Sequence, residues 1–354
     1  MARSARCLSV TFAQIATANP MGQQAYESSI QAALLELADP DLELRVLNVS
    51  SLRNGVAADR RLAWGLLERS PASFAQMLGA WCYRGADLVH RLDLRLPPRI
   101  GPEVVTVHDL PGLRFDDEGS VPRFLAAGAR SARAVIVPST FAGQEVVDLL
   151  RVDPQRINVV PYGLSAVYKS PPAAATRSDL MTLPGPYVLH AAGATKRKNL
   201  ASLAEAWRTV SAADPDIQLV LCGPPDARRD SLFAGAARVH RTGRLVPADV
   251  AWLMHRARAV VVPSTYEGFG LPALEGMAAG VPVIAANAGA LPEVCGDGAL
   301  LVEPDGVGLA GGILAVLKDD AAAADLRVRG TARAATFDWR AAARAHVDIY
   351  RSVA

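Results

Sequence analysis

Two glutamates stand eight positions apart in PSTYEGFGLPALEGMAAGVPVI, residues 263–284, with Gly268 and Gly270 in the turn between them. Glycine lets a backbone come close to a ligand, and the free N–H groups at a helix start attract anions. Pro272 suits the first turn of that helix. A diphosphate is the natural guest of such a turn. Glu267 precedes it and Glu275 lies about one turn into the helix, so one carboxylate faces the sugar side of a diphosphate and the other the nucleoside side. A carboxylate accepts two hydroxyl donors, which suits a hexose or a ribose. Alone, this spacing would more often mean two solvated charges. The glycine–proline frame reverses that balance.

A second segment, YVLHAAGATKRKNLASLAEAW (187–207), reads as a strand, a glycine-containing turn, a basic cluster and a helix. Lys196, Arg197 and Lys198 stand at the turn, where a cation can reach the same diphosphate. Without Mg²⁺, leaving-group charge must be met by fixed cations and amide dipoles. A third, VVTVHDLPGLRF (104–115), places His108 at the carboxyl end of a buried strand. Asp109 either orients His108 or caps the turn. His90 is assigned to packing rather than to lining an acceptor, and His190 and His240 to core or loop. The six histidines show no metal-ligand spacing, so neither a metal nor another cofactor is expected.

These residues resemble the retaining glycosyltransferases of family 4 (glycosyl transferases group 1). The likeness runs over most of the chain. The family frame P-S-x-x-E-G-F-G-L-P-x-x-E is met at Pro263, Ser264, Glu267, Gly268, Phe269, Gly270, Leu271, Pro272 and Glu275, and continues through Gly280, Pro282, Val283, Leu291, Pro292 and Glu293. The resemblance implies an α/β GT-B fold of two facing Rossmann-like, doubly wound domains. It implies that Glu275 holds the donor ribose, with base recognition around Gly243 to Leu245. It also implies that Glu267 contacts the donor sugar, His108 orients that sugar near its reacting carbon, and amides after the glycines hold the diphosphate. Lys198 and Asn199 keep the family's basic turn, but Ala194 stands where an arginine is often found, and Arg197 is its expected substitute. The family's glycine-rich first loop is represented by Asn19-Pro20-Met21-Gly22-Gln23-Gln24, where Gly22 alone keeps the close approach. The segment FDWRAAARAHVDIYRSVA resembles the terminal helix that crosses back to the N-terminal domain, anchored by Trp339.

Positioning these groups requires parallel sheets. Short β-branched runs alternate with alanine- and leucine-rich helical stretches, the pattern of strands joined by crossover helices. Strands are predicted over 104–107, 134–137, 158–160, 187–190, 218–222, 259–262 and 281–285, and helices over 23–37, 140–150, 199–211 and 247–256. AVIVPSTFAG (134–143) echoes AVVVPSTYEG (259–268), with Ala142 where the second has Glu267. The echo predicts equivalent positions in two similar domains, each copy placing a Ser or Thr at a helix N-cap. Domains are expected over 1–172 and 187–336, joined by a proline-rich linker over 173–186, with 337–354 returning to the first.

The composition sets the outer bounds. With 354 residues the chain suits two domains. A net charge of +2 argues against a nucleic-acid binder. No apolar run approaches the roughly 20 residues that span a bilayer, and residues 1–10 lack a signal peptide's apolar core. Cys7, Cys82, Cys222 and Cys295 are read as free thiols in a reducing cytoplasm. The expectation is a metal-independent hexosyltransferase. It would use a nucleoside-diphosphate sugar, with GDP-mannose favoured over UDP-linked glucose or N-acetylglucosamine, and a saccharide or lipid-linked acceptor. A lipid acceptor would bring weak peripheral attachment to the inner membrane face. A sugar-nucleotide epimerase or phosphorylase, and a degenerate sugar-nucleotide-binding subunit, are the rival readings. No G-x-G-x-x-G follows an early strand, which disfavours a dinucleotide-dependent oxidoreductase.

Overall fold

Strands buried on both faces read as unbroken apolar runs, and AVIV at 134–137 and AVVV at 259–262 are fully buried strands. The computed structural model describes residues 7–17 and 22–354. They divide into two compact units: one runs to Gly163 and takes in Asp338–Ala354, and the other is Leu164–Phe337. In the first, β1 (Leu8–Ile15), β2 (Leu42–Ser51), β3 (Arg60–Leu62), β4 (Leu88–Arg91), β5 (Glu103–Thr106), β6 (Ala134–Val137) and β7 (Ile157–Val159) pair in parallel in the order β3-β2-β1-β4-β5-β6-β7. In the second, β8 (Tyr187–Ala191), β9 (Gln218–Cys222), β10 (Val239–Gly243), β11 (Ala259–Val262), β12 (Val283–Ala286) and β13 (Leu300–Val302) pair in parallel in the order β10-β9-β8-β11-β12-β13.

The two orders share one logic. Each sheet grows outward from its first strand to one side, then restarts on the other side of that strand. The reversals fall between β1 and β4 and between β8 and β11. Ligands of doubly wound sheets bind outside the carboxyl ends of the strands at such a switch point. In the second unit the helices Leu200–Ala213 and Gly306–Lys318 bury Leu203, Trp207, Leu309 and Ile313 against Val188, Leu219 and Val261. That fixes the sheet whose edge carries the site. Trp207 donates its indole N–H to the Ala237 carbonyl at 2.9 Å, so its polar edge is satisfied.

The terminal helix Trp339–Val353 packs in the first unit, against the helix Gly22–Leu37. Buried polar pairs key it there. The Tyr26 hydroxyl meets His346 Nε2 at 2.9 Å, and the Tyr350 hydroxyl meets His90 Nδ1 at 2.8 Å. Trp339 stacks on Tyr162, and a Cβ at Gly163 would lie 2.2 Å from the Trp339 nitrogen. His90 is thus packed in the core, bonded also to Thr106 Oγ1 at 2.7 Å.

Two expectations are corrected. The stretch 173–186 is part of the second unit rather than a free linker. Thr176 gives its N–H and hydroxyl to the two oxygens of buried Asp249, both at 2.6 Å, and Leu180 is buried. The sequence echo also occupies unlike places. The first copy follows β6, far from its sheet's reversal, whereas the second follows β11, beside it. Ser139 does cap its helix, accepting from the Ala142 N–H at 3.1 Å. In the second copy the helix starts only at Leu271, after Gly270. A strand ending in Val-Pro-Ser serves both settings, so the likeness is local. Among the described residues no helix is long and apolar enough to cross a membrane.

Candidate active site

Three loops meet where β8 and β11 separate. After β8 the chain turns through Gly193 and Ala194 into the 3₁₀ turn Lys196–Lys198, and Asn199 (φ 54°) opens the next helix. After β11 it loops through residues 263–270 to the helix Leu271–Ala278. Asn199 Nδ2 donates to the carbonyls of Pro263 (3.0 Å) and Pro304 (2.8 Å), and the Thr265 N–H donates to the Arg197 carbonyl at 2.9 Å. These bonds hold the basic turn against the loop that carries Glu267. Lys198 Nζ lies 2.6 Å from Glu267 Oε1, and the Arg197 guanidinium lies 3.3 Å from Oε2. Burial alone would raise the Glu267 carboxyl. The Lys198 and Arg197 charges and the Lys198 hydrogen bond outweigh it and hold the group below the ordinary carboxylate range.

Glycines set the loop's path. Gly270 has φ 101°, and a Cβ there would come within 2.6 Å of Leu291 Cδ2. Gly289 has φ 60°, and its Cβ would press to 2.9 Å on the Glu267 nitrogen. The Ala290 N–H donates to the Glu267 carbonyl at 3.0 Å, so the segment after β12 forms the floor under Glu267. Phe269 is buried edge-on to Phe337. Gly268 and Gly270 flank it, and Leu271 and Pro272 open the helix.

Glu275, in the middle of that helix, stands apart from these cations. Burial pushes its carboxyl up to about 8, opposed by a hydrogen bond with Tyr168. Tyr168 is itself buried, and Cys222 at the end of β9 feels the Glu275 charge. Tyr168 and Cys222 gave no sequence signal, because they reach Glu275 only through the fold. Leu245, just past β10, is half-buried.

The first unit carries its own predicted residues at the carboxyl edge of its sheet. His108 follows β5, with Nε2 3.2 Å from the Leu92 carbonyl and Nδ1 bonded to the Tyr162 hydroxyl. A carbonyl only accepts, so Nε2 bears the proton and the tyrosine donates to Nδ1. Burial pushes this imidazole down to about 4, keeping it neutral. Gly22 begins the first helix, while Asn19, Pro20 and Met21 lie outside the described residues. Next to it Gln23 Nε2 donates to Glu27 Oε1 and to Asp93 Oδ2, both at 3.0 Å, bridging the helix after β1 and the loop after β4. Sequence reasoning missed this polar group, since its members are 70 residues apart.

Among the described residues no group of three His, Cys, Asp or Glu side chains could hold a metal ion. The profile described as "Glycosyl transferases group 1" matches residues 185–319, the part of the chain that holds the Lys198–Glu267 pair and Glu275. The chain is also 30% identical over 291 residues to O-antigen chain mannosyltransferase B of Escherichia coli, covering 77% of this chain and 76% of that protein. The chain belongs to the group 1 glycosyltransferases. This glycosyltransferase has the GT-B fold of solved relatives. It matches sucrose-phosphate synthase of Thermosynechococcus elongatus with a TM-score of 0.76 and 24% identity, covering 98% of each chain. It matches HepE of Anabaena, solved in complex with UDP-glucose, with a TM-score of 0.73 and 20% identity, covering 98% of this chain and 100% of that one.

Proposed function

We propose that this glycosyltransferase moves a hexosyl group, with retention, from a nucleoside-diphosphate sugar to a hydroxyl of a saccharide or lipid-linked acceptor. The observation that carries this reading is the Lys198–Glu267–Arg197 cluster at the β8/β11 reversal, beside a helix that opens after a left-handed glycine. Two cations share one carboxylate, so the cluster keeps a positive excess for a departing diphosphate. In this reading Lys198, Arg197 and the backbone at Gly268, Phe269, Gly270 and Leu271 hold the diphosphate. Glu275 and Leu245 take the ribose and base, and Glu267 takes sugar hydroxyls. His108 orients the sugar by exchanging its long bond to Leu92 for a sugar oxygen. Gly22 supplies close backbone approach. The anomeric C–O bond breaks toward an oxocarbenium-like state, and the departing phosphate oxygen accepts the acceptor's proton as its hydroxyl attacks the same face. No side-chain nucleophile is assigned and no metal takes part.

A mannosyl donor is favoured because the Escherichia coli relative is named a mannosyltransferase. The glucosyl alternative draws on the UDP-glucose bound in the Anabaena structure. Transfer from a panel of nucleotide sugars, with product configuration read by proton NMR, tests the proposal. Lys198→Ala and Glu275→Ala should each lose roughly a hundredfold in rate. Wild-type rates in either variant, or an inverted product, would contradict it. Interconversion of the sugar nucleotide with no acceptor present would favour an epimerase instead.

A further inference from the structure

Arg229 is an anomaly in the second unit. It lies on the short helix Ala227–Leu232 after β9, only 2% exposed, and its side chain reaches back to the carboxyl edge of the sheet. There Nη2 donates to the Ala192 carbonyl at 2.6 Å and Nη1 to the Pro224 carbonyl at 3.0 Å. Nε is buried and unpartnered. Asp226 caps this helix by accepting the Arg229 backbone N–H, and Asp230 pairs with Arg241. The guanidinium donates to two carbonyls, and the nearby Asp226 and Asp230 charges do not outweigh the cost of its burial. Gly223 makes room for it: a Cβ there would lie 2.8 Å from Nη2 and 2.3 Å from the Ala192 oxygen. Burying a guanidinium this way costs stability, so the position calls for a return elsewhere.

The Ala192 carbonyl is where β8 leaves the sheet for the turn that carries Arg197 and Lys198. Arg229 thus pins the entrance of that turn, as Asn199 pins its exit. His190, at the heart of the same edge, feels the charges of Arg229, Lys198 and Glu267 together. We propose that Arg229 is a positioning residue for the donor diphosphate, fixing the 192–198 turn from behind where Ala194 offers no guanidinium.

This inference rests on the donor-site reading above, and the test separates the two. Calorimetric titration of the whole protein with GDP and UDP, and with guanosine and uridine, is compared in wild type, Arg229→Lys and Arg229→Met. The expected result is roughly tenfold or greater weakening of nucleoside-diphosphate binding in Arg229→Met, substantial recovery in Arg229→Lys, and unchanged nucleoside affinity. Equal loss for diphosphate and nucleoside, or equal defects in both variants with a lowered melting temperature, would mean a purely structural role and overturn the proposal. Unaltered binding in Arg229→Met would overturn it too. Failure of the wild-type protein to bind either nucleotide would instead remove the donor-site reading itself.

Discussion

Lys198 Nζ and Glu267 Oε1 are 2.6 Å apart, with both side chains almost wholly enclosed. They come from the loops that follow the two strands flanking the chain reversal of the second sheet. A pair so placed holds two loops in register, with the Arg197 cation beside it at the edge where ligands bind. Removing one partner strands the other. Lys198→Met should cost about 3 kcal/mol of stability, because Glu267 is left buried with only the longer Arg197 contact. The double variant Lys198→Met/Glu267→Leu should recover much of that stability without recovering transfer. Chemical denaturation and transfer assays on the three proteins check this. Additive losses would show that the two residues do not act as a pair.

Glu275 predicts a pH dependence. Its carboxyl is pushed up to about 8, so near neutrality the ligand-free protein holds a proton there. The native state keeps a proton that the unfolded chain releases at its ordinary carboxylate value. Glu275 therefore subtracts stability as pH rises through that window toward 8. Ribose hydroxyls donate best to the ionised form, so nucleotide-sugar affinity should rise with pH, by up to about tenfold per unit, and level off above 8. Titrations in buffers of different ionisation heat should register a proton released on binding. Glu275→Gln should abolish the slope. A flat profile in wild type would remove Glu275 from the ribose.

Gly289 is the floor beneath Glu267, and Gly289→Ala would push a methyl against the Glu267 backbone at a left-handed position. Transfer should fall by roughly tenfold or more, with a stability loss of about 1–3 kcal/mol. Melting and rate measurements on this one variant decide the matter. Full activity would mean that the placement of Glu267 is not critical.

Much of this site was legible in the sequence because its residues are close in the chain. Glu267, Gly270, Pro272 and Glu275 fall within one loop and helix, and Lys198 follows the first strand of the same sheet. Long-range packing was not legible. Tyr168 reaches Glu275, Arg229 reaches Ala192 and Gly289 underlies Glu267 across 107, 37 and 22 positions. The echo of 134–143 in 259–268 misled for a related reason. Strand termination by Val-Pro-Ser is a local habit, whereas place in a sheet is set by which strands pair.

The terminal helix should respond to acid. His346, buried against Tyr26, is pushed by burial down to about 4, and His90 lies well below its ordinary value. Folded values below the unfolded one mean that this contribution is complete above about 6.5 and is lost as pH falls toward 4. Melting temperature should decline across that range, less steeply in His346→Gln. Trp339 fluorescence reports on the helix that carries His346. An unchanged slope would show that the imidazole is not held neutral by its packing.

The central claim is that the carboxyl edge of the second sheet binds a nucleoside-diphosphate sugar. A thermal-shift panel of GDP-, UDP- and ADP-sugars tests it most directly, since a ligand at about a hundred times its Kd stabilises the native state by about 2.7 kcal/mol. The account predicts that at least one sugar nucleotide raises the melting temperature of the wild-type protein by several degrees, and that the rise is lost in Lys198→Ala and Glu275→Ala. No rise with any of them, or an equal rise in both variants, would contradict it.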